Sequence, residues 1–593
     1  MTQMAEPRGK LGAPASNAAE SARGDARVNG PKGGHFDWHA VNWHAVEEDV
    51  RRLRHRIFVA TEAGDLKKVR NLQKLMLRSR SNALLSVRRV TEINAGRKTA
   101  GIDGEVAIAP EEKAELVSWM RNRTSPWSPR PVKRVYVPKR NGRRRPLGIP
   151  VIADRCLQAL VTGALEPEWE ARFEPRSYGF RPGRGCHDAI VAIHTSASSK
   201  AAKRQWVLDA DLQEAFDRLS HDHILQSIER FPGRGLIAQW LRAGVVEAGQ
   251  FTPTEEGTPQ GGVISPLLMN VALHGMESAA GVRYHKKPSS DSWRSVPGSP
   301  VLVRYADDLL VLCHSKEQAE DVKQRLAAWL RPRGLAFNEA KTRITHLDEG
   351  VDFLGFNIRR FRGKLLTKPS NDALRRIRKR LSDEALALRG GNADAVVGKL
   401  NPIIKGWAAY YRIGVSSKAF ATLDNHVWRL VYKWARFSHS NKSAGWVTSR
   451  YFGLFNRGRQ DRWVFGSRES GRYLRRFAWT PIVRHRMVAW RASPDDPSLA
   501  AYWAARRRRS APPIGRDVLW LLQRQRGRCT ICRGLLLYAD HEPQWETWLS
   551  ATRKGLRKRA ITPLGQRQPG DRVAQHLVHA QCHRKTNGNG AQR

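Results

Sequence analysis

Three hydrophobic patterns succeed one another along the chain. From His35 to about Asn94 apolar positions recur at helical spacing. Val46, Val50, Leu53 and Ile57 form one stripe, Val69, Leu72, Leu75 and Leu77 suggest another, and Gly64-Asp65 breaks between them. In the middle of the chain the apolar runs are short and bounded by turn residues, as buried strands are. Val301-Leu302-Val303 and Leu309 to Leu312 flank a polar pivot, Tyr305-Ala306-Asp307-Asp308, and predict a hairpin. Trp206-Val207-Leu208 starts another strand, running into Asp209 and Asp211. Val135 and Val137, then Pro138 to Gly142, then Leu147 and Ile149 predict a second hairpin with Asn-Gly at its tip. A helix is expected from about Lys316 to Trp329, a strand beside Lys341, and a short buried strand over Val351 to Ile358. Beyond residue 370 the pattern is helical, with seams at Leu374, Ile377 and Leu381 and at Val396, Val397, Leu400, Ile404 and Trp407.

Composition adds a partner to this outline. The chain has 593 residues, too many for one core, so several domains are expected. Lys and Arg outnumber Asp and Glu by 103 to 55, a formal charge of +48. A polyanion would relieve that self-repulsion, and a phosphate backbone is the expected one. No apolar run reaches the roughly 18 residues of a membrane span, and the mean hydropathy is −0.54, so no membrane partner is expected. Residues 1–35 read as a disordered tail without the apolar core of a signal peptide. Six cysteines suit a reducing compartment, with Cys156, Cys186 and Cys313 as ordinary buried thiols. The expected location is therefore the cytoplasm.

The chemistry centres on Asp211, Asp307 and Asp308. Carboxylates at the ends of separate buried strands repel one another, and divalent metal offsets this. Three suffice for two Mg²⁺ in two-metal phosphoryl transfer. Phe216, five residues past Asp211, would then lie under the sugar of an incoming nucleotide. Lys139 and Arg145 flank the Asn-Gly turn, where they would clamp a triphosphate or keep an exposed edge soluble. Thr258-Pro-Gln-Gly-Gly262 places glycines where a base can approach the backbone closely. Near the carboxy terminus, Cys529-x-x-Cys532 and His579-x-x-Cys582 have the spacing of a four-ligand Zn²⁺ site.

These motifs occur in the order TAGIDGE (99–105), RRPLGIP (144–150), SYGFRPGRG (177–185), the Asp-Ala-Asp strand, GTPQGG (257–262), YADD (305–308), the Lys341 strand and FLGF (353–356). In that series the chain resembles bacterial group II intron reverse transcriptase/maturases, from about residue 36 to the end. The resemblance implies a multidomain α+β protein: a right-hand polymerase, an all-α thumb or maturase domain, and a small zinc-containing ββα domain of the HNH type. It places an N-terminal helical extension at 36–95, fingers and palm at 96–365, the thumb at 366–485, a basic DNA-binding linker at 486–515 and the HNH-like domain at 516–593. It assigns Lys139 and Arg145 to nucleotide phosphates and Gln260 to the template–nucleotide pair, with Lys341 also at the nucleotide. In the tail it implies His541 as general base, with Asp540 and His583 holding one divalent metal.

The tail departs from the family pattern. His579 stands where cysteine is usual, and the Gly-Gly turn and a nearby Asn are missing. A structural DNA-binding remnant therefore stands beside a cutting domain. The function implied is an RNA-directed DNA polymerase that binds its intron RNA, assists splicing and nicks target DNA to prime copying. Deoxynucleoside triphosphates would be its substrates, and a nucleoid-associated ribonucleoprotein its expected setting. A splicing-only maturase and a reverse transcriptase of a retron or defence system are the alternatives.

Overall fold

The strands that carry the aspartates meet in one sheet. The structure is a computed structural model and describes residues 37–38, 40–122, 127–138, 144–199, 201–286, 293–456, 458–509, 516–533, 536, 556–560, 575–579 and 582–583. The sheet runs in the order Arg343–His346, Trp206–Asp211, Asp308–Cys313, Val301–Tyr305, antiparallel throughout. Side chains alternate across such strands, and here both faces are apolar because both are covered. Leu208, Leu302, Leu309 and Val311 join a core built with the helices Ile152–Arg172 and Lys316–Leu330. Val207, Val303, Leu310 and Leu312 face a second core, shared with the helix Cys186–Ala197 and the helices beyond residue 370.

A second four-stranded sheet is separate from this one. Val132–Pro138 and Arg144–Ile149 pair as the expected hairpin, and Val245–Glu247 and Gln250–Thr252 extend it. Lys139 and the Asn-Gly tip lie outside the described residues.

The amino-terminal helices Trp43–Glu62, Leu66–Arg78 and Arg80–Arg88 are each capped by the side chain before them, Asn42, Asp65 and Ser79. The first apolar stripe is buried as expected. The second is not as expected: Val69, Leu72 and Met76 are buried, while Leu75 is 39% exposed. Spacings of three and four keep Met76 on the core face, and Leu75 falls a turn-quarter off it.

Two further expectations need correction. Val351 to Ile358 is not one strand but a hairpin of Val351–Phe353 and Phe356–Phe361, continued by Lys364–Pro369. Leu354 and Gly355 turn it, with φ of 48° and 81°, the two positive values that a tight two-residue turn requires. The all-helical expectation holds for Asn371–Ala387, Ala393–Tyr411, Ser417–Ser438 and Ala444–Tyr451. It fails after them, where Phe452–Gly453 pairs with Val464–Phe465. Phe465 packs against Trp434 and Tyr451, so this small hairpin closes the aromatic end of the helical core.

An irregular strap then returns across the molecule. Arg184 donates to the carbonyls of Trp490 and Ala492. Arg54 on the first helix donates two bonds of 2.7 Å to Asp495 and one of 2.8 Å to Glu166. Burial pulls the Arg54 pKa down, and the charges of Asp495 and Glu166 more than reverse this. Within residues 486–515, the four consecutive arginines Arg506 to Arg509 end the helix Ala500–Arg509, and Arg506 is tied to the Arg486 carbonyl and to buried Asp188. Among the described residues no helix is long and apolar enough to cross a membrane.

Arg54→Leu leaves Asp495 and Glu166 buried without their cation, a loss of about 3–5 kcal/mol. The expected readout is faster proteolysis of the strap around Asp495 in the otherwise folded protein. Cleavage at the parent's rate would contradict the clamp.

Candidate active site

Asp211 ends its strand directly opposite Asp308, which starts its own. Tyr305 also faces Asp308, so Ala306 and Asp307 form a two-residue loop. Ala306 has φ of 58°, a conformation in which glycine is the ordinary occupant. The neighbouring SYGF segment holds it there. Tyr178 N–H donates to the Arg304 carbonyl, and a Cβ on Gly179 would lie 2.2 Å from the Ala306 nitrogen, so only glycine fits beneath the turn.

Arg304 anchors this turn from within. Its buried guanidinium donates to Asn270 Oδ1 at 2.9 Å, Ser177 Oγ at 2.6 Å and the Ala306 carbonyl at 3.2 Å. Asn270 in turn donates to the Gly179 carbonyl. Burial lowers the Arg304 pKa to about 10, so the cation persists at neutral pH. Arg181 is likewise internal, forked onto Glu170 and bonded to the carbonyls of Glu174 and Ser177. Neither arginine stood out in sequence, where Arg304 is one cation in an apolar strand. A charged residue at an otherwise apolar strand position was the available signal.

The carboxylates are electrostatically frustrated. Burial, then Asp307, Asp211 and Asp209, push Asp308 up to about 7. Burial also raises Asp307, while Arg145 and Lys341 oppose the shift. Asp209 is raised to about 6 by burial, and Arg343 donates to it at 3.2 Å. Lys341 Nζ stands 2.5 Å from Asp211 Oδ2. Asp209, Asp211, Asp308, Lys341 and Arg343 line a cleft of about 400 Å³. A cluster of hard oxygen ligands that burial and mutual repulsion disfavour as bare charges suits a divalent cation such as Mg²⁺.

The expected nucleotide residues border the same region. Phe216 is buried in the turn Ala215–Arg218 and meets Phe180 edge-on, with centroids 6.2 Å apart. Its carbonyl accepts from Thr258 N–H, and Gln260 accepts from Gly148 N–H. A Cβ on Gly261 would lie 2.7 Å from the Gly148 carbonyl. The glycines therefore let the Gln260 loop lock the Arg145 strand to Phe216. Arg145 itself is exposed and pairs in register with Val137.

Toward the carboxy terminus the structure describes the helix Arg516–Arg524 and the antiparallel strands Leu556–Ala560 and Gln575–His579. Ligand atoms of Cys529, Cys532, His579 and Cys582 all lie within 4.8 Å of one another. Three sulfurs and an imidazole suit zinc. His583 follows this set directly, whereas Asp540 and His541 lie outside the described residues. Arg528, beside Cys529, donates to Glu47 on the first helix at 3.0 Å.

Three stretches of the chain match known families. Residues 38–120 match the N-terminal domain of reverse transcriptase. Residues 137–358 match reverse transcriptase (RNA-dependent DNA polymerase), and 374–452 match the group II intron, maturase-specific domain. Protein YkfC of Escherichia coli is 33% identical over 334 residues, 52% of this chain and 88% of that protein. The group II intron-encoded protein LtrA of Lactococcus lactis is 30% identical over 323 residues, 45% of this chain and 53% of LtrA. The chain thus spans about half of LtrA's length. Maturase-like protein 1 of Euglena gracilis is 26% identical, over 62% of this chain and 76% of that one. A telomerase structure from Candida albicans overlaps 54% of this chain and 64% of its own at a TM-score of 0.26 and 12% identity, too loosely to bear on the fold.

Asp308 binds its proton more tightly folded than unfolded, where the value is about 3.9. Its contribution to stability is therefore present at low pH and lost as pH rises through about 7. Without added divalent ions, Asp308→Asn should raise the melting temperature at pH 8 by about 2–4 °C and much less at pH 5. Equal gains at both pH values would show that the charge of buried Asp308 is not the cause.

Proposed function

The chain belongs to the group II intron reverse transcriptase/maturase family, and from that premise we propose that it copies RNA into DNA, binds the intron RNA that it serves and assists its splicing. The observation that carries this reading is the register of Asp211 against Asp308, which joins the two acidic motifs at one strand end beside Asp307. Mg²⁺ held by Asp211, Asp307 and Asp308 would activate a primer 3′-hydroxyl and steady the leaving pyrophosphate. Lys341, paired with Asp211, would turn to the nucleotide when substrate arrives. Arg145, with Lys139, would receive the triphosphate of a deoxynucleotide. Phe216 would pack beneath its sugar, and Gln260 would face the base pair with the template.

Two features support the RNA-facing half of the reading. The formal charge of +48 demands a polyanion. The stretch from Asn371 to Tyr451, which covers most of the maturase-specific match, is helical with arginines such as Arg375 and Arg380 exposed around its apolar seams.

The same proposal extends to intron mobility. Zn²⁺ on Cys529, Cys532, His579 and Cys582 would fold the carboxy-terminal module. Within it His541 would activate water for nicking target DNA, with Asp540 and His583 holding a divalent metal. Domain limits follow the family pattern, with fingers and palm over 96–365, the thumb from 366, the basic linker at 486–515 and the nuclease-like module from 516.

Replacing Asp307 and Asp308 together with Ala should reduce primer extension on an annealed RNA template and DNA primer by at least about 10⁴-fold, since metal chemistry at this site supplies several kcal/mol. Retained synthesis would refute the assignment of the metal site. Purified protein should carry zinc in stoichiometric amount by elemental analysis, and Cys529→Ser with Cys532→Ser should abolish it. Absence of zinc from the parent would remove that part of the reading.

A further inference from the structure

Where the maturase-specific match ends, the helix Ser417–Ser438 within it, the small hairpin Phe452–Gly453 with Val464–Phe465, and the segment Leu474–Arg476 beyond it line a cavity of about 440 Å³. Its walls are aromatic. Trp428 stacks on Tyr432 with centroids 5.3 Å apart and planes 8° apart. Trp463 meets Trp428 at 76° with centroids 6.2 Å apart, so the two rings form a corner. Trp463 is 58% exposed, an unusual position for a residue whose only role is packing.

The polar groups divide into fixed and free. Buried Asp424 accepts from the backbone N–H groups of Phe477 at 2.6 Å and Ala478 at 3.0 Å, and Arg476 bridges it to Asp461. That cluster is spent on holding the segment after Leu474 in place. The Asn425 amide and the Arg475 guanidinium line the cavity and have no partner among the described residues. Arg429, Lys433 and Arg462 are exposed around the same elements.

We propose that this corner receives an unstacked nucleobase of single-stranded RNA. A base laid flat on Trp463 meets the Trp428 ring edge-on, Asn425 offers its amide to the base edge, and Arg475 takes an adjoining phosphate. Single-stranded bases bind proteins in this way, by stacking on aromatic rings with cations along the backbone. An apolar protein helix would use the rings but would leave Arg475 and Asn425 unpaired, and charge complementarity favours the polyanion. The inference rests on the RNA-binding reading above and adds to it a definite pocket with named contacts.

The test uses the full chain and a short mixed-sequence single-stranded RNA carrying 4-thiouridine, in salt high enough to suppress unspecific attraction. Irradiation should link the RNA to a peptide containing Trp463 or Trp428. Trp463→Ala should weaken binding by about tenfold or more, while Trp463→Phe keeps most of the affinity. Arg475→Gln, at an exposed site that folding does not depend on, should weaken binding and flatten its salt dependence by about one phosphate contact. Cross-links mapping elsewhere, with Trp463→Ala and Arg475→Gln both binding within about twofold of the parent, would overturn the pocket and leave RNA binding intact. A parent protein that holds no RNA would overturn the RNA-binding reading and the pocket with it.

Discussion

Repulsion between Asp211 and Asp308, held face to face across an antiparallel strand pair, is the constraint that the rest of the molecule must satisfy. Left alone, two such carboxylates at the end of a buried sheet would separate or take up protons, and burial, with Asp307 and Asp211 beside it, pushes the Asp308 carboxyl up to about 7. The sheet does not yield because its strands are locked on both faces by apolar cores. The turn does not yield because Arg304 grips the Ala306 carbonyl from below and Gly179 leaves no room for a shift. Strain stored at a turn of this kind persists only where its surroundings over-determine it.

The same logic explains the reach of the long-range ties. Arg54, Glu166 and Asp495 join the first helix, the long helix under the sheet and the strap that follows the helical region. Arg184 fastens the strap to the loop that supports the Ala306-Asp307 turn. The SYGFRPGRG segment is therefore a structural hub: one end underlies the Ala306-Asp307 turn, and the other receives chain from residues some 300 positions away. Despite the chain's excess of positive charge, some basic residues, Arg54 and Arg506 among them, pair with internal carboxylates.

That division marks what the sequence could reveal. Strands with both faces buried announce themselves as continuous apolar runs, so Trp206–Asp211 and the YADD hairpin were legible, and their carboxylates with them. Short-range turn chemistry was legible in part: the Asn-Gly hairpin was expected from its dipeptide, whereas Leu354-Gly355 was hidden inside an apolar run. The ion pairs were not legible, because Arg54 and Asp495 are 441 positions apart and nothing local distinguishes a buried arginine from a solvated one. The hairpin at Phe452 and Val464 was missed for a related reason. Its strands are two residues each and take their stability from Trp434 and Tyr451 rather than from their own pattern.

The central claim is that Asp211, Asp307 and Asp308 form one metal-binding unit. Electron paramagnetic resonance of Mn²⁺ bound to the protein, with a chain-terminated primer on an RNA template and the next deoxynucleotide, tests it without requiring turnover. The account predicts about two Mn²⁺ at this site in the parent and loss of at least one in Asp211→Asn. Unchanged Mn²⁺ affinity and stoichiometry in Asp211→Asn would contradict it.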